Sequence, residues 1–203
     1  MKRSSALNKL VALTLLAALP FAASAQDAKS GLSYNYVQGG YSHINSDVNA
    51  KGWAIDGSAA IAPNFHVFGG YNAVKADTAI LIPGGGTQKP KLDQWKLGVG
   101  YNHSIAANTD FVGTLAYQKA EAKLAGVSTN LDGYAAEAGV RSALGSRVEG
   151  YAMAGYEDGN DYDGDFYGRL GGQVKINTNW GVAADVKFAD GDTQFFVGPR
   201  ITW

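Results

Sequence analysis

The chain has 203 residues, 17 basic and 18 acidic side chains, a net charge of −1, three histidines and no cysteine. That length suits one domain; the near-neutral charge without a basic cluster argues against nucleic acid as a partner, and the lack of cysteine rules out a disulfide framework. Glycine is abundant at 27 and proline scarce at 5, and 11 tyrosines and 4 tryptophans supply amphipathic rings, a mix suited to twisted antiparallel strands with interfacial anchors.

Residues 1–25 read as a secretory signal peptide. Lys2, Arg3 and Lys9 supply positive charge, Leu10 to Phe21 is an apolar run, and Ala23-Ser24-Ala25 is a small-x-small cleavage site before Gln26. The run is too short to remain as a spanning helix. The division is therefore a signal peptide, 1–25, and a single β-barrel domain, 26–203. After residue 25 no apolar run is long enough for a membrane helix, so a membrane location requires a barrel.

Ten segments of period-two polarity follow residue 30. The first, Ser33 to His43, sets Val37, Gly39 and Tyr41 against Tyr36, Gln38 and Ser42. In the second, Trp53, Ile55, Gly57, Ala59 and Ile61 alternate with Ala54, Asp56, Ser58 and Ala60. A Pro63-Asn64 turn leads to the third, with Val67, Gly69 and Tyr71. Gly39-Gly40-Tyr41 and Gly69-Gly70-Tyr71 repeat at hairpin spacing. The fourth places Trp95, Leu97, Val99 and Tyr101 outward and Gln94, Lys96 and Asn102 inward. The fifth carries Phe111, Gly113, Leu115 and Tyr117 opposite Thr114 and Gln118, and the sixth carries Tyr134, Ala136, Ala138 and Val140 opposite Glu137 and Arg141. The seventh runs from Val148 to Tyr156 with Glu149, Tyr151 and Met153 inward. The eighth sets Phe166, Leu170, Gly172 and Val174 against Tyr167, Arg169, Gln173 and Lys175. The ninth, Trp180 to Phe188, has Asp185 and Lys187 inward. The tenth is Gln194 to Trp203, where Phe195, Val197, Pro199, Ile201 and Trp203 share one face. A closing strand of this kind, ending on an aromatic, matches the signal by which outer-membrane barrels are assembled, carried here by Phe195, Val197, Ile201 and Trp203.

The connections alternate between two classes. Short turns fall at Ala62–Asn64, Ile105–Thr109, Ala143–Ser146 and Asn177–Asn179, and longer or charged loops at Asn45–Lys51, Val74–Lys91, Glu121–Asn130, Glu157–Gly164 and Ala189–Thr193. Five long and four short connections describe an all-β, antiparallel up-and-down transmembrane barrel of ten strands with both termini at the short-turn rim; eight strands is the alternative. Tyr41, Trp53, Tyr71, Trp95, Tyr117, Tyr134 and Tyr156 fall at the long-loop ends of their segments. Tyr101, Trp180 and Trp203 fall near the short turns, and the two sets read as girdles at the two lipid interfaces.

The inward faces bring together Asp56, Glu137, Glu149, Glu157 and Asp185 with Lys96, Arg141, Arg169, Lys175, Lys187 and Arg200. Near balance of charge describes a lumen filled by paired groups, in which Arg141, Arg169 and Arg200 partner Glu137 and Asp185. The competing reading is a narrow, charge-lined pore. The acidic run Glu157 to Asp165 is a solvated loop tip rather than a calcium loop, because Phe166 stands where the turn glycine would be. Catalysis would need a histidine in register with a serine or acid. His43 and Ser42 point to opposite faces of one strand, and Gly84-Gly85-Gly86 lacks a phosphate loop's lysine. No enzyme, cofactor or metal site is expected.

Several stretches are similar to one known family: Lys-Ser-Gly-Leu-Ser-Tyr-Asn-Tyr-Val-Gln-Gly-Gly-Tyr at 29–41, Ala-Pro-Asn-Phe-His-Val-Phe-Gly-Gly-Tyr-Asn at 62–72, Leu-Gly-Val-Gly-Tyr-Asn-His at 97–103, Ala-Gly-Tyr-Glu-Asp at 154–158, Asp-Gly-Asp-Phe-Tyr-Gly-Arg-Leu-Gly at 163–171 and the closing segment 187–203. They resemble the small outer-membrane proteins of xanthomonad bacteria described as activators of rice immunity, over essentially all of residues 26–203. The resemblance implies an outer-membrane barrel shed in vesicles, with roles in biofilm formation, motility, virulence and quorum-type signalling. Expected partners are outer-membrane lipid and lipopolysaccharide, periplasmic chaperones and the barrel-assembly machinery, and an unidentified surface ligand or host receptor. If the lumen is a charge ladder, Arg200→Ala should lower the heat-unfolding temperature in detergent; an unchanged temperature would count against the ladder.

Overall fold

Alternation of apolar and polar residues fixes where each strand must lie, and the glycines let neighbouring strands twist closely past one another. The computed structural model describes residues 30–81, 85–160 and 162–203. The signal peptide expected over 1–25 lies outside the described residues. The elements in chain order are β1 (Tyr36–Asn45), β2 (Ala50–Ala62), β3 (Phe65–Ala76), β4 (Ile80–Leu81), β5 (Thr87–Gln88), β6 (Lys91–Ala106), β7 (Thr109–Leu124), β8 (Val127–Ala143), β9 (Val148–Gly159), β10 (Tyr162–Lys175), β11 (Trp180–Ala189) and β12 (Asp192–Thr202).

All but β4 and β5 form one closed antiparallel barrel of ten strands. Each pairs with its predecessor, and β12 returns to β1 with Tyr36 opposite Thr202, Gln38 opposite Arg200 and His43 opposite Phe195. This agrees with the ten segments read from the sequence and excludes the eight-stranded alternative. Closure leaves the wall without an edge, so its backbone groups find partners inside the barrel. The polarity of the wall is inverted relative to a water-soluble domain. Leu97, Leu115 and Leu170 are 61, 64 and 51 % exposed on the outside, whereas Gln38, Asp110, Arg141, Glu149 and Arg200 are buried inside. An apolar exterior around a polar interior is the arrangement lipid selects.

Two sequence expectations need correction. Ser33 to Asn35 do not belong to β1, which starts at Tyr36. The loops expected at Glu121–Asn130, Glu157–Gly164 and Ala189–Thr193 are largely strand: β7 and β8 pair up to Leu124 opposite Val127, with only Ala125 and Gly126 between them. Both turn residues have positive φ, 51° and 81°, as do Asp190 and Gly191 at 29° and 84°. These are tight hairpin turns with the hand that matches strand twist. Ala, Lys and Glu are weak strand formers, so 121–124 read as loop; pairing with β8 overrides that propensity. Of the five connections expected to be long, the one between β3 and β6 makes the longest excursion among the described residues, with 77–81 and 85–90 carrying the small β4–β5 hairpin.

The inward glycines seat the bulky lumen residues. A Cβ at Gly155 would collide with the Tyr167 ring and one at Gly171 with the Tyr151 ring, so each ring lies flat against a bare stretch of neighbouring strand. Pairing small with large positions in this way lets a narrow barrel enclose aromatic side chains. Gly155→Val is expected to displace Tyr167 and lower the unfolding midpoint in detergent by about 1–3 kcal/mol equivalent. Gly168→Val, whose Cβ meets nothing within 4 Å, should leave it unchanged; equal effects would show that the seat is not specific.

Candidate functional site: the barrel lumen

The mouth at the short-turn rim is occupied by the chain itself. Residues 30–35 cross it ahead of β1, burying Leu32 and Tyr34 to 1 and 3 % exposure. Leu32 and Tyr34 pack with Val112, Ala60, Ala143 and Met153. The Tyr34 hydroxyl donates to Asp110 Oδ2 at 3.0 Å, and Ser104 Oγ donates to Asp110 Oδ1 at 2.8 Å. The Tyr34 ring stacks on His66 with centroids 4.6 Å apart, and the Arg141 guanidinium lies 4.8 Å from its centroid. Arg141 Nη1 also donates to the Ser33 carbonyl at 2.9 Å. The segment is stitched to the wall by Ala60 N–H donating to Asn35 Oδ1 at 2.8 Å and Ser33 Oγ donating to the Trp203 carbonyl at 2.8 Å. Sequence reasoning missed this plug by taking Ser33 as the start of a strand. Its signal was present: Leu32 and Tyr34 are apolar on the parity where Gln38 and Ser42 face the lumen.

The residues of the expected charge network lie beside the plug (Arg141, Glu149, Lys175) and above it, and their pairing differs from the expectation in two places. Arg169 does join both predicted partners, with Nε 2.8 Å from Asp185 and Nη1 3.6 Å from Glu137. Arg141 instead pairs with Glu149 at 2.6 Å, and Lys175 closes on the same carboxylate at 2.6 Å. Lys96 lies 3.5 Å from Asp56, and Lys187 lies 2.6 Å from Glu157. Neutral donors complete the network: Tyr167 Oη donates to Glu137 at 3.0 Å, Gln118 Nε2 to Glu157 at 2.9 Å, and Tyr151 Oη to Asp185. Arg200 is the exception. Its guanidinium lies 3.5 Å from the Tyr36 ring centroid, and no ion pair joins it to a carboxylate among the described residues. Strand register explains the difference: Arg200 stands opposite Gln38 and Gly181, whereas Arg169 stands opposite Lys187 and Met153, within reach of Asp185 and Glu137. Asp110, 1 % exposed, is the sixth lumen carboxylate and was not singled out from sequence.

Two cavities lie in the lumen among the described residues. An upper cavity of about 310 Å³ runs from Asp56, Lys96, Glu137 and Arg169 toward Gln194 and Leu131. A lower one of about 110 Å³ lies between those same four side chains and Tyr34, Arg141 and Arg200. The waist shared by both carries two acids and two bases, with Gln38, Phe68 and Thr114 beside them.

Outside, aromatic rings at the long-loop ends of neighbouring strands pack against one another. Trp53 and Tyr71, Trp95 and Tyr117, Tyr117 and Tyr134, and Tyr156 and Phe166 have ring centroids 5.5, 5.4, 5.4 and 5.0 Å apart. Tyr41 joins the same band through His43 and Phe195. At the short-turn rim Phe65 of β3 packs on Tyr101 of β6 at 5.3 Å, and Trp180 and Trp203 are exposed elsewhere on the same rim, at the start of β11 and just after β12. Phe195, Val197 and Ile201 of the closing strand lie on the outward face with Trp203. Beyond the upper band, the β7–β8 hairpin projects with Lys123 between Asp93 and Glu121, at 2.8 and 2.9 Å. Hydrogen bonding to those carboxylates raises the Lys123 ammonium above its usual range and holds Glu121 below its own. Lys51 and Asp77, 2.8 Å apart, shift each other in the same way.

No protein-family model and no curated protein matches the sequence. Solved structures do match in shape. The chain is similar to the NanC porin, with a TM-score of 0.53, 9 % identity, 83 % of this chain covered and 100 % of that one. It is also similar to the KdgM porin (0.44, 13 %, 82 and 99 %) and to OprG of Pseudomonas aeruginosa (0.46, 11 %, 86 and 98 %). The likeness to NanC, together with the closed ten-stranded wall, gives the fold of an outer-membrane β-barrel. The lumen geometry makes its own prediction. Arg169→Met strands Glu137 and Asp185 and should destabilise by about 3–5 kcal/mol, whereas Arg200→Met strands no carboxylate and should cost clearly less. Denaturant unfolding in detergent measures both, and the reverse order would contradict the pairing.

Proposed function

We propose that this is an outer-membrane barrel with a closed lumen that acts through its exposed rim as a surface or interaction protein. The observation that carries this reading is the plug: Leu32 and Tyr34 fill the short-turn mouth while Arg141 and Asp110 anchor them from the wall. A solute entering the upper cavity meets first the charged waist and then this buried segment. With transport disfavoured, the projecting β7–β8 hairpin and the 77–90 excursion remain as the surfaces with room for a partner. The three histidines are spread over His43, His66 and His103, on β1, β3 and β6.

The likeness of the sequence to the xanthomonad family supports the finer roles. Shedding in vesicles, and involvement in biofilm, motility, virulence and quorum-type signalling, would act through this rim by way of a surface ligand or host receptor. The aromatic bands would sit in lipid and lipopolysaccharide, and the closing strand, Phe195 to Trp203, would be the portion presented to periplasmic chaperones and the assembly machinery. A second reading, a small porin-like channel for ions or small solutes, has the upper cavity of about 310 Å³ in its favour.

Single-channel current across a planar bilayer separates the two. The protein should insert and remain silent, while the double variant Leu32→Gly, Tyr34→Gly should show discrete steps. Ion-selective steps from the unaltered protein would overturn the closed reading and make Lys96, Arg169 and Arg200 the first residues to replace.

A further inference from the structure

The charge of the lumen is close to balanced as a whole but not in each part. The lower cavity is lined by two carboxylates, Asp56 and Glu137, and by four cationic groups, Lys96, Arg141, Arg169 and Arg200. The first three cations have partners at 2.6–3.6 Å, Arg141 drawing on Glu149 behind it. Arg200 is 6 % exposed and has no carboxylate within ion-pair distance, and its Nε and Nη2 hydrogens meet no acceptor among the described residues. Two further buried polar atoms on the same cavity, Gln38 Oε1 and Ser58 Oγ, also have no hydrogen-bond partner. Gln38 stands directly opposite Arg200 across the β1–β12 pairing, and Ser58 stands opposite Tyr36, on whose ring Arg200 rests.

A buried charge with neither a counter-ion nor full hydrogen bonding is costly, and the Tyr36 ring compensates it only in part. The surplus is positive, and the neighbouring neutral groups have donors to offer: a hydroxyl at Ser58 and the amide NH₂ of Gln38, whose N and O positions are interchangeable by rotation. At about 30 Å³ of liquid volume per water, a cavity of about 110 Å³ has room for a chloride-sized ion and a few waters, but not for a sugar or a peptide. We propose that Arg200, with Gln38 and Ser58, holds a small monovalent inorganic anion in the lower lumen, as a counter-ion built into the closed barrel. The site stands whether or not the lumen conducts, because it lies between the waist and the plug.

The test uses protein extracted from membranes in detergent and exchanged into gluconate, an anion too large for the cavity. Sodium chloride then replaces gluconate at constant ionic strength while heat unfolding is followed by loss of the strand circular-dichroism signal. The midpoint should rise with chloride and saturate. Arg200→Gln should abolish the saturable rise, and Ser58→Ala should weaken the half-saturating concentration roughly tenfold, the scale of one charge-assisted hydrogen bond. Crystals soaked in bromide should show an anomalous peak beside the Arg200 guanidinium. A midpoint identical in the two salts, a saturable rise that survives in Arg200→Gln, or bromide-soaked crystals without a peak at Arg200 would each overturn the proposal. Should Arg200→Gln fail to fold, Gln38→Leu takes its place: loss of the saturable rise supports the site, and its persistence unchanged counts against it.

Discussion

Lipid offers no hydrogen bonds, so every backbone amide of the membrane-crossing wall has to be satisfied within the wall. The pairing of β12 with β1 meets that requirement. It removes the two edges a ten-stranded sheet would otherwise have, and it brings the start and end of the described chain to one place. Once the ends are joined, Trp203 N–H can donate to the Asn35 carbonyl and Ser33 Oγ to the Trp203 carbonyl. The seam thereby fixes the residues just before β1 across the mouth. The plug is a consequence of closure as much as a separate element.

Closure also sets the chemistry of the interior. A barrel this narrow is filled largely by side chains, so most of its inward polar groups satisfy one another. Two devices do this. Tyr151 and Tyr167 lie flat over Gly171 and Gly155, which fills volume while their hydroxyls reach Asp185 and Glu137. Arg169 then bridges those two carboxylates, so rings, glycines and ion pairs form one connected unit. Such a network is stabilising only when complete, since stranding either carboxylate leaves a buried charge. Arg200, resting on Tyr36 without a carboxylate, is the one cation of the network to which this logic gives no counter-charge.

The exterior follows the opposite rule, with an apolar belt between bands of aromatic rings. The upper band carries the features that reach furthest beyond it, the β7–β8 hairpin and the 77–90 excursion. They touch where Ala125 N–H donates to Gln88 Oε1 at 3.1 Å, so the projecting rim is braced rather than a set of separate loops.

Strand number, direction of each face, the aromatic bands and the composition of the lumen were readable in the sequence, because side chains in a strand alternate strictly and lipid tolerates no exception on one face. Trp53-to-Ile61 and Phe195-to-Trp203 show that period without help from any partner. Which lumen charges meet was not readable. Arg141, Arg169 and Arg200 look equivalent on their own strands, and only the register between strands sends Arg169 to Glu137 and Asp185, Arg141 to Glu149, and Arg200 to Tyr36. The extent of the β7–β8 hairpin was equally hidden, since Ala-Glu-Ala-Lys is a poor strand until Val127 to Asp132 pairs with it. The plug required both ends of the barrel at once: Leu32 and Tyr34 are merely apolar in sequence, and become a stopper because the closed wall places Val112, His66, Asp110 and Arg141 around them.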